Sequence, residues 1–133
     1  MVGKDSNYVR QDIYERTRAF ALRVIKLYRF LDEKRGASRI LGAQLLKAGT
    51  SIGANIAEAK AGQSRADFIS KYSIAHKEAR ETYYWLTLLK DAALVPASRL
   101  NDLISECDEI VRILTTILVK SKASEKKVKT KSQ

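Results

Sequence analysis

The 133-residue chain has one cysteine, one proline, one histidine, one tryptophan and one methionine. A lone cysteine, Cys107, cannot close an internal disulfide and fits a reducing compartment. A lone histidine, His76, cannot supply the paired Glu-x-x-His ligands of di-iron bundles, and with Cys107 it falls short of an ordinary zinc site. The pair Gly49-x-x-x-Gly53 lacks the Lys-Ser/Thr that follows in a phosphate-cradling loop. Glu78 and Glu81 are close enough in sequence for a carboxylate pair, but Lys71, Lys77, Arg80 and Arg112 offer simple ion pairing instead. No enzyme chemistry, cofactor or metal is therefore expected. The longest helix-like apolar run, Ile113 to Val119, contains two threonines and is too short to span a bilayer. The opening MVGKDSNYVRQD has no apolar core of a signal peptide, so a soluble cytoplasmic protein without membrane contact is expected. Acid is also scarce: 15 Asp and Glu stand against 25 Lys and Arg, a formal net charge of +10 that favours polyanionic partners.

Forty-five per cent of the residues are hydrophobic, enough to bury the core of a single domain. They recur at helical spacing, and no stretch reads as a strand. Ile13, Thr17, Phe20, Val24, Leu27 and Leu31 alternate spacings of four and three, a heptad seam that predicts a first helix from about Tyr8 or Asp12 to Lys34. Gly36 is expected to end it and Ser38 to cap the next. A second helix, about Ser38 to Lys60, carries Leu41, Leu45, Ala48, Ile52, Ile56 and Ala59 on one face. Gly42, Gly49 and Gly53 share another of its faces. Each destabilises a helix by roughly 1 kcal/mol relative to alanine, so a neighbouring helix is expected to cross closely there. Gly62, in left-handed conformation, and the N-cap Ser64 with Asp67 three residues on make a tight turn. A third helix follows, about Ser64 to Ala92, and Pro96 separates it from a fourth, about Ser98 to Val119. The fourth is the most apolar (Leu100, Leu103, Ile104, Cys107, Ile110, Val111, Leu114, Ile117, Leu118) and the only acidic one. Short turns between long helices predict an all-α, up-down-up-down antiparallel four-helix bundle over residues 8–120, with a flexible lead-in at 1–7. Cys107 on the apolar seam reads as a buried, inert thiol, and His76 as a surface imidazole.

Two charge features stand out. Arg16, Arg18, Arg23, Lys26 and Arg29 fill the remaining positions of helix one. From residue 120 onward Lys120, Lys122, Lys126, Lys127, Lys129 and Lys131 face only Glu125. Residues 121–133 have almost nothing apolar to bury and read as a disordered tail, either a solubility feature or an arm for phosphates. The expected nucleic-acid contacts are thus the five helix-one residues with Lys122, Lys126, Lys127, Lys129 and Lys131.

Helix three carries two stripes. Phe68, Tyr72, Ala75, Ala79, Thr82, Leu86 and Leu89 form an apolar one, and beside it run Asp67, Lys71, Ile74, Glu78, Glu81, Trp85 and Leu88. Ser51, Asn55 and Glu58 lie on one side of helix two. The second stripe is either a solvated face or a polar network (Ser51, Asn55, Glu58, Lys71, Glu78, Glu81, Arg112) packed between helices or subunits.

The residues Ser51-x-x-Ala54-Asn55-Ile56-x-Glu58-Ala59, Asp67-Phe68-Ile69-x-Lys71 and Ile74-Ala75-x-Lys77-Glu78-Ala79-x-Glu81-Thr82-x-Tyr84-Trp85-Leu86-x-Leu88-Leu89 resemble the signature of a bacterial family. Its members are the four-helix bundle proteins encoded in intervening sequences of 23S ribosomal RNA genes, similar to the accessory variability protein of diversity-generating retroelements. The resemblance covers about 40 residues closely. It implies a four-helix protomer, a homopentameric barrel and a basic surface suited to RNA or DNA, and it does not imply an enzyme; the expected partners are a second copy of the chain, RNA or DNA, and a reverse transcriptase or other nucleic-acid enzyme. A pentameric ring has heterologous contacts, so it would give the second stripe the task of fixing register between protomers. The rival expectation is a protein-interaction scaffold whose basic charge serves solubility.

Overall fold

The structure is a computed structural model that describes residues 5–62 and 64–132, with side chains described over 13–62 and 64–128. Four helices follow in order: α1 (Asp5–Asp32), α2 (Ala37–Ala61), α3 (Arg65–Asp91) and α4 (Ala97–Ser132). Among the described residues there is no strand. The connections are three to five residues long, which forces sequential helices to run antiparallel. α1 packs on α2 and α4, and α3 packs on α2 and α4, so the four form a closed bundle. The α1–α4 seam is the thinnest of the four.

The apolar periodicity sets the core. Ile13, Phe20, Val24 and Leu31 of α1 are buried, with Thr17 among them, and Leu27 is half-buried. The Thr17 hydroxyl donates back to the carbonyl of Ile13 at 2.8 Å, which removes the penalty of an unpaired buried polar group. On α2 Leu45, Ala48, Ile52, Ile56 and Ala59 are buried, and on α3 Tyr72, Ala75, Ala79, Thr82, Leu86 and Leu89. Phe68 stacks on Tyr72 with ring centroids 4.2 Å apart. α4 contributes Leu100, Leu103, Cys107, Ile110, Leu114, Ile117 and Leu118.

The glycine face of α2 is where α1 crosses. A Cβ on Gly42 would fall 2.9 Å from Leu31 Cβ, and one on Gly49 would fall 2.9 Å from Val24 Cγ1. One on Gly53 would meet Thr17 Oγ1 at 3.3 Å. The α1 heptad seam and the α2 glycines therefore mesh in antiparallel register.

Several helix ends depart from expectation. Ser64 does cap α3, its hydroxyl accepting from the Asp67 N–H at 3.0 Å. Gly62, however, is extended (φ −69°, ψ 154°), because the three-residue α2–α3 link leaves the helix directly into the Ser64 cap. Ser38 does not cap α2: it is buried within the helix, and Gly36, at φ 70°, is the cap residue with no side chain to offer. The third difference is the tail. α4 continues through Ser132, and Ser121 is buried, where disorder is expected from residue 121. Nothing after Pro96 breaks a helix, and the Lys, Ala and Glu of the tail are good helix formers. At the N-terminus α1 already includes residues 5–7, while residues 1–4 of the expected flexible lead-in lie outside the described residues.

α3 ends in a six-residue closing loop. The Leu94 N–H bonds the Leu89 carbonyl at 3.1 Å and the Ala93 N–H bonds that of Lys90 at 3.0 Å, with Ala93 at φ 57°. Left-handed backbone strains a side chain by roughly 1–2 kcal/mol, and glycine there forfeits about 0.5–1 kcal/mol of that gain to chain entropy. Ala93→Gly is accordingly expected to stabilise the bundle by about 0.5–1 kcal/mol. A thermal melt no higher than that of the parent would refute the strain at this residue.

Candidate nucleic-acid interface

The structure divides the five α1 residues expected to contact nucleic acid. Arg16 is taken by the fold. Its guanidinium donates to both carboxylate oxygens of Glu106, at 2.6 and 3.1 Å, and lies 3.6 Å from Glu109. This fork clasps α1 to α4 and withdraws Arg16 from phosphate contact, contrary to its expected role. The reason is the antiparallel α1–α4 pairing, which sets Arg16 against the acidic stretch of α4. Arg18, Arg23, Lys26 and Arg29 are exposed, and none of them forms an ion pair among the described residues. Arg18 and Arg29, eleven residues apart, share one side of the helix. Arg23 and Lys26 turn towards α4.

There they meet a residue that the sequence reading overlooks. Arg23, Lys26 and Arg99 line a shallow groove floored by Leu27 and Leu103, along the thin α1–α4 seam. The Arg99 guanidinium lies 4.3 Å from the centre of the half-buried Phe30 ring, and Lys34 Nζ lies 4.6 Å from the same ring. The spacing of Arg99 four positions before the core residue Leu103 marks its side of α4, and only the α1–α4 pairing brings it to Arg23 and Lys26.

A second basic cluster lies on the outer face of α3. His76, Lys77 and Arg80 gather beside Glu81 and Tyr84 on the surface. His76 is half-buried rather than fully outward, and its Nε2 sits 2.8 Å from Thr115 Oγ1. Burial, then the nearby Arg80 and Lys122 charges, push its pKa below 6.5, so the imidazole is neutral at pH 7. Lys122, Lys126 and Lys127 are exposed on the last turns of α4. Lys129 and Lys131 lie on the same helix, with side chains outside the described residues.

The proposed polar network does not close within one protomer. Ser51 donates to the Lys47 carbonyl and Asn55 to that of Ser51, both at 2.8 Å and both on their own helix. Glu58 and Lys71 do bridge α2 and α3, at 2.6 Å. Glu81 accepts the Trp85 indole N–H at 3.3 Å. Glu78 is half-buried, and it is the Glu78 main-chain carbonyl that accepts from Thr82. Arg112 does not reach Glu78 or Glu81: it points outward, 78% exposed, and pairs with Asp108 one turn away at 3.1 Å. Pairing α3 with α4 aligns the helices but leaves the rotation of α4 free to aim Arg112 away. Beside these groups Ile74 and Tyr84 remain exposed.

Chemistry at the remaining reactive group is suppressed. Cys107 is fully buried and its thiol donates to the Ala79 carbonyl at 3.3 Å. Burial, followed by the Asp108 and Glu106 charges, pushes its pKa up to about 12, so there is almost no thiolate at neutral pH. No group of three or more His, Cys, Asp or Glu that could hold a metal exists among the described residues. No helix is long and apolar enough to cross a membrane among those residues.

Comparison with known proteins agrees with this architecture. The family described as 23S rRNA-intervening sequence protein matches residues 10–116. A crystal structure of a protein of unknown function from the S23 ribosomal protein family of Bacteroides thetaiotaomicron is similar, with 39% identity and a TM-score of 0.77. The match covers 83% of this chain and 97% of that one. No curated protein matches the chain.

Proposed function

This chain belongs to the 23S rRNA-intervening sequence protein family, and from that premise we propose that it is a non-enzymatic, cytoplasmic protein that binds RNA or DNA as a homo-oligomer. The observation that carries this reading is the surplus of exposed cations without acidic partners. Arg18, Arg23, Lys26 and Arg29 on α1 are set on a rigid helix, while Lys122 and Lys127 project from the end of α4. Contacts of this kind hold phosphates and carry little base information, so affinity should depend on salt more than on sequence. A pentameric ring is the assembly we favour. Its support is the α3 face, where the half-buried Glu78 and Trp85 lie beside exposed Ile74, with exposed Tyr84 packed edge-on against Trp85. In a ring that face would meet a different surface of the next protomer, and Ser51, Asn55, Glu58, Lys71, Glu78 and Glu81 would set the register. A role as accessory factor to a reverse transcriptase or another nucleic-acid enzyme fits the same surface.

The same α3 face also favours a second reading, a protein-interaction scaffold with no nucleic-acid role. A mobility-shift titration with RNA and with DNA at two salt concentrations separates the two. Binding that weakens steeply with salt is expected. No shift at low salt would exclude the nucleic-acid reading and leave the scaffold. Native mass spectrometry is expected to give a ring-sized oligomer of five chains, and a monomer at micromolar concentration would remove the interface.

A further inference from the structure

We propose that the α1–α4 seam is the principal phosphate seat of this protein, with Arg23, Lys26 and Arg99 taking adjacent phosphodiesters of a nucleic-acid backbone. The inference rests on the nucleic-acid reading above and locates it. Three observations converge. First, the groove joins cations from two separate helices, so its geometry is fixed by the bundle rather than by one flexible side chain. Second, none of the three cations is neutralised by an ion pair among the described residues, although the molecule pairs Arg16, Arg39, Lys71 and Arg112 elsewhere. Like charges gathered without a carboxylate repel one another, and an anion at the groove relieves that repulsion. Third, Phe30 holds the Arg99 guanidinium at 4.3 Å, which reduces the freedom the side chain loses on gripping a phosphate.

The seam also has a defined limit. One end is sealed by Arg16 locked to Glu106 and Glu109, where carboxylates would repel a phosphate. Lys34, on the far side of Phe30, extends positive charge at the other end. A strand laid along the groove therefore runs from Arg23 towards Lys34, away from the acidic stretch. Phe30 acts as a positioning residue, since it orients Arg99 and Lys34 without offering a hydrogen bond to the ligand.

The test uses the full chain and fluorescence anisotropy with a labelled mixed-sequence single-stranded RNA and, separately, a DNA duplex. The seam variant carries Arg23→Ala, Lys26→Ala and Arg99→Ala together. A charge-matched control carries Lys47→Ala, Arg65→Ala and Lys90→Ala, all exposed positions away from the seam. The seam variant is expected to lose roughly ten- to a hundredfold in affinity near 0.1 M salt and to lower the salt slope by about two on both probes. The control is expected to lose less than about threefold, because its contribution is only long-range attraction. Phe30→Leu, which removes the ring and no charge, should weaken binding while leaving the salt slope unchanged. Circular-dichroism melts confirm that each variant is folded. Equal losses in seam variant and control would overturn the seam while leaving nucleic-acid binding intact. Absence of binding by the parent protein would overturn both.

Discussion

Removing residues 126–133 is expected to flatten the salt dependence of nucleic-acid binding without unfolding the bundle. The deletion takes away Lys126, Lys127, Lys129 and Lys131 and no acidic residue, lowering the formal net charge from +10 to +6. The cut belongs after Glu125 because Ser121 is buried and Ser124 and Glu125 are half-buried, so the helix is still attached to the bundle up to that point. Beyond it the described side chains, Lys126, Lys127 and Val128, are all exposed. If each lost lysine neutralises one phosphate, the slope of log affinity against log salt falls by about three, at roughly 0.7 to 0.9 per contact. The melting temperature should change little, since none of the described side chains that are lost is buried. The continuation of α4 to Ser132 sharpens this expectation. A helix places Lys122 and Lys126 on one side, four residues apart, so the arm carries charge on an ordered helix. An unchanged slope after truncation would mean that the arm lies clear of the ligand and that the bundle alone binds.

The parts of this molecule that were legible in the sequence are those governed by one helix at a time. The spacing of Ile13, Phe20, Val24 and Leu31 names the buried side of α1, and the same holds for Tyr72, Ala75, Ala79, Leu86 and Leu89 on α3. Ser64 could be read as a cap because its hydroxyl reaches an N–H only three residues away. The close approach at Gly42 and Gly49 was legible for a similar reason: glycine inside a helix is unfavourable unless something occupies the missing side-chain volume.

What was not legible depends on how two helices are turned towards each other. Arg16 sits among other arginines in sequence, and only the α1–α4 pairing shows that Glu106 and Glu109 claim it. Arg112 has carboxylates on both α3 and α4 within plausible reach, and the rotation of α4 decides for Asp108. Arg99 lies in the helix that composition marks as acidic, so its place beside Arg23 and Lys26 emerges only when α1 and α4 are brought together. Gly62 shows a different failure. Glycine permits left-handed backbone without requiring it, and the short link to Ser64 selects the extended form. The helical continuation of the tail is not legible because lack of apolar surface argues against a core and says less about a helix that continues from one already formed.

The α1–α2 contact gives the largest expected effect on stability. At Gly49 a Cβ would stand 2.9 Å from Val24 Cγ1 and 3.0 Å from Val24 Cγ2, and Val24 is fully buried. A β-branched side chain in a helix has one strongly preferred rotamer, so Val24 cannot swing aside. Gly49→Leu must then push α1 away from α2 along a seam that also includes Leu31 and Gly42. The expected destabilisation is about 3 kcal/mol, at the upper end for overpacking a core, which lowers the melting temperature by roughly 10 °C in a domain of this size. Gly53→Ala serves as the internal control. Its Cβ would meet only Thr17 Oγ1 at 3.3 Å and main-chain atoms at 3.5 Å, a few tenths of an ångström of adjustment. The gain in helix propensity, about 1 kcal/mol, offsets that strain, so a net change near zero is expected. A double-mutant cycle then identifies the cause. Val24→Ala alone leaves a cavity and destabilises, but in the Gly49→Leu background it makes room for the new side chain. The pair is expected to be more stable than the sum of the two single changes by at least ~1 kcal/mol. Strict additivity would show that Gly49 and Val24 do not touch, and that α1 and α2 meet through other residues.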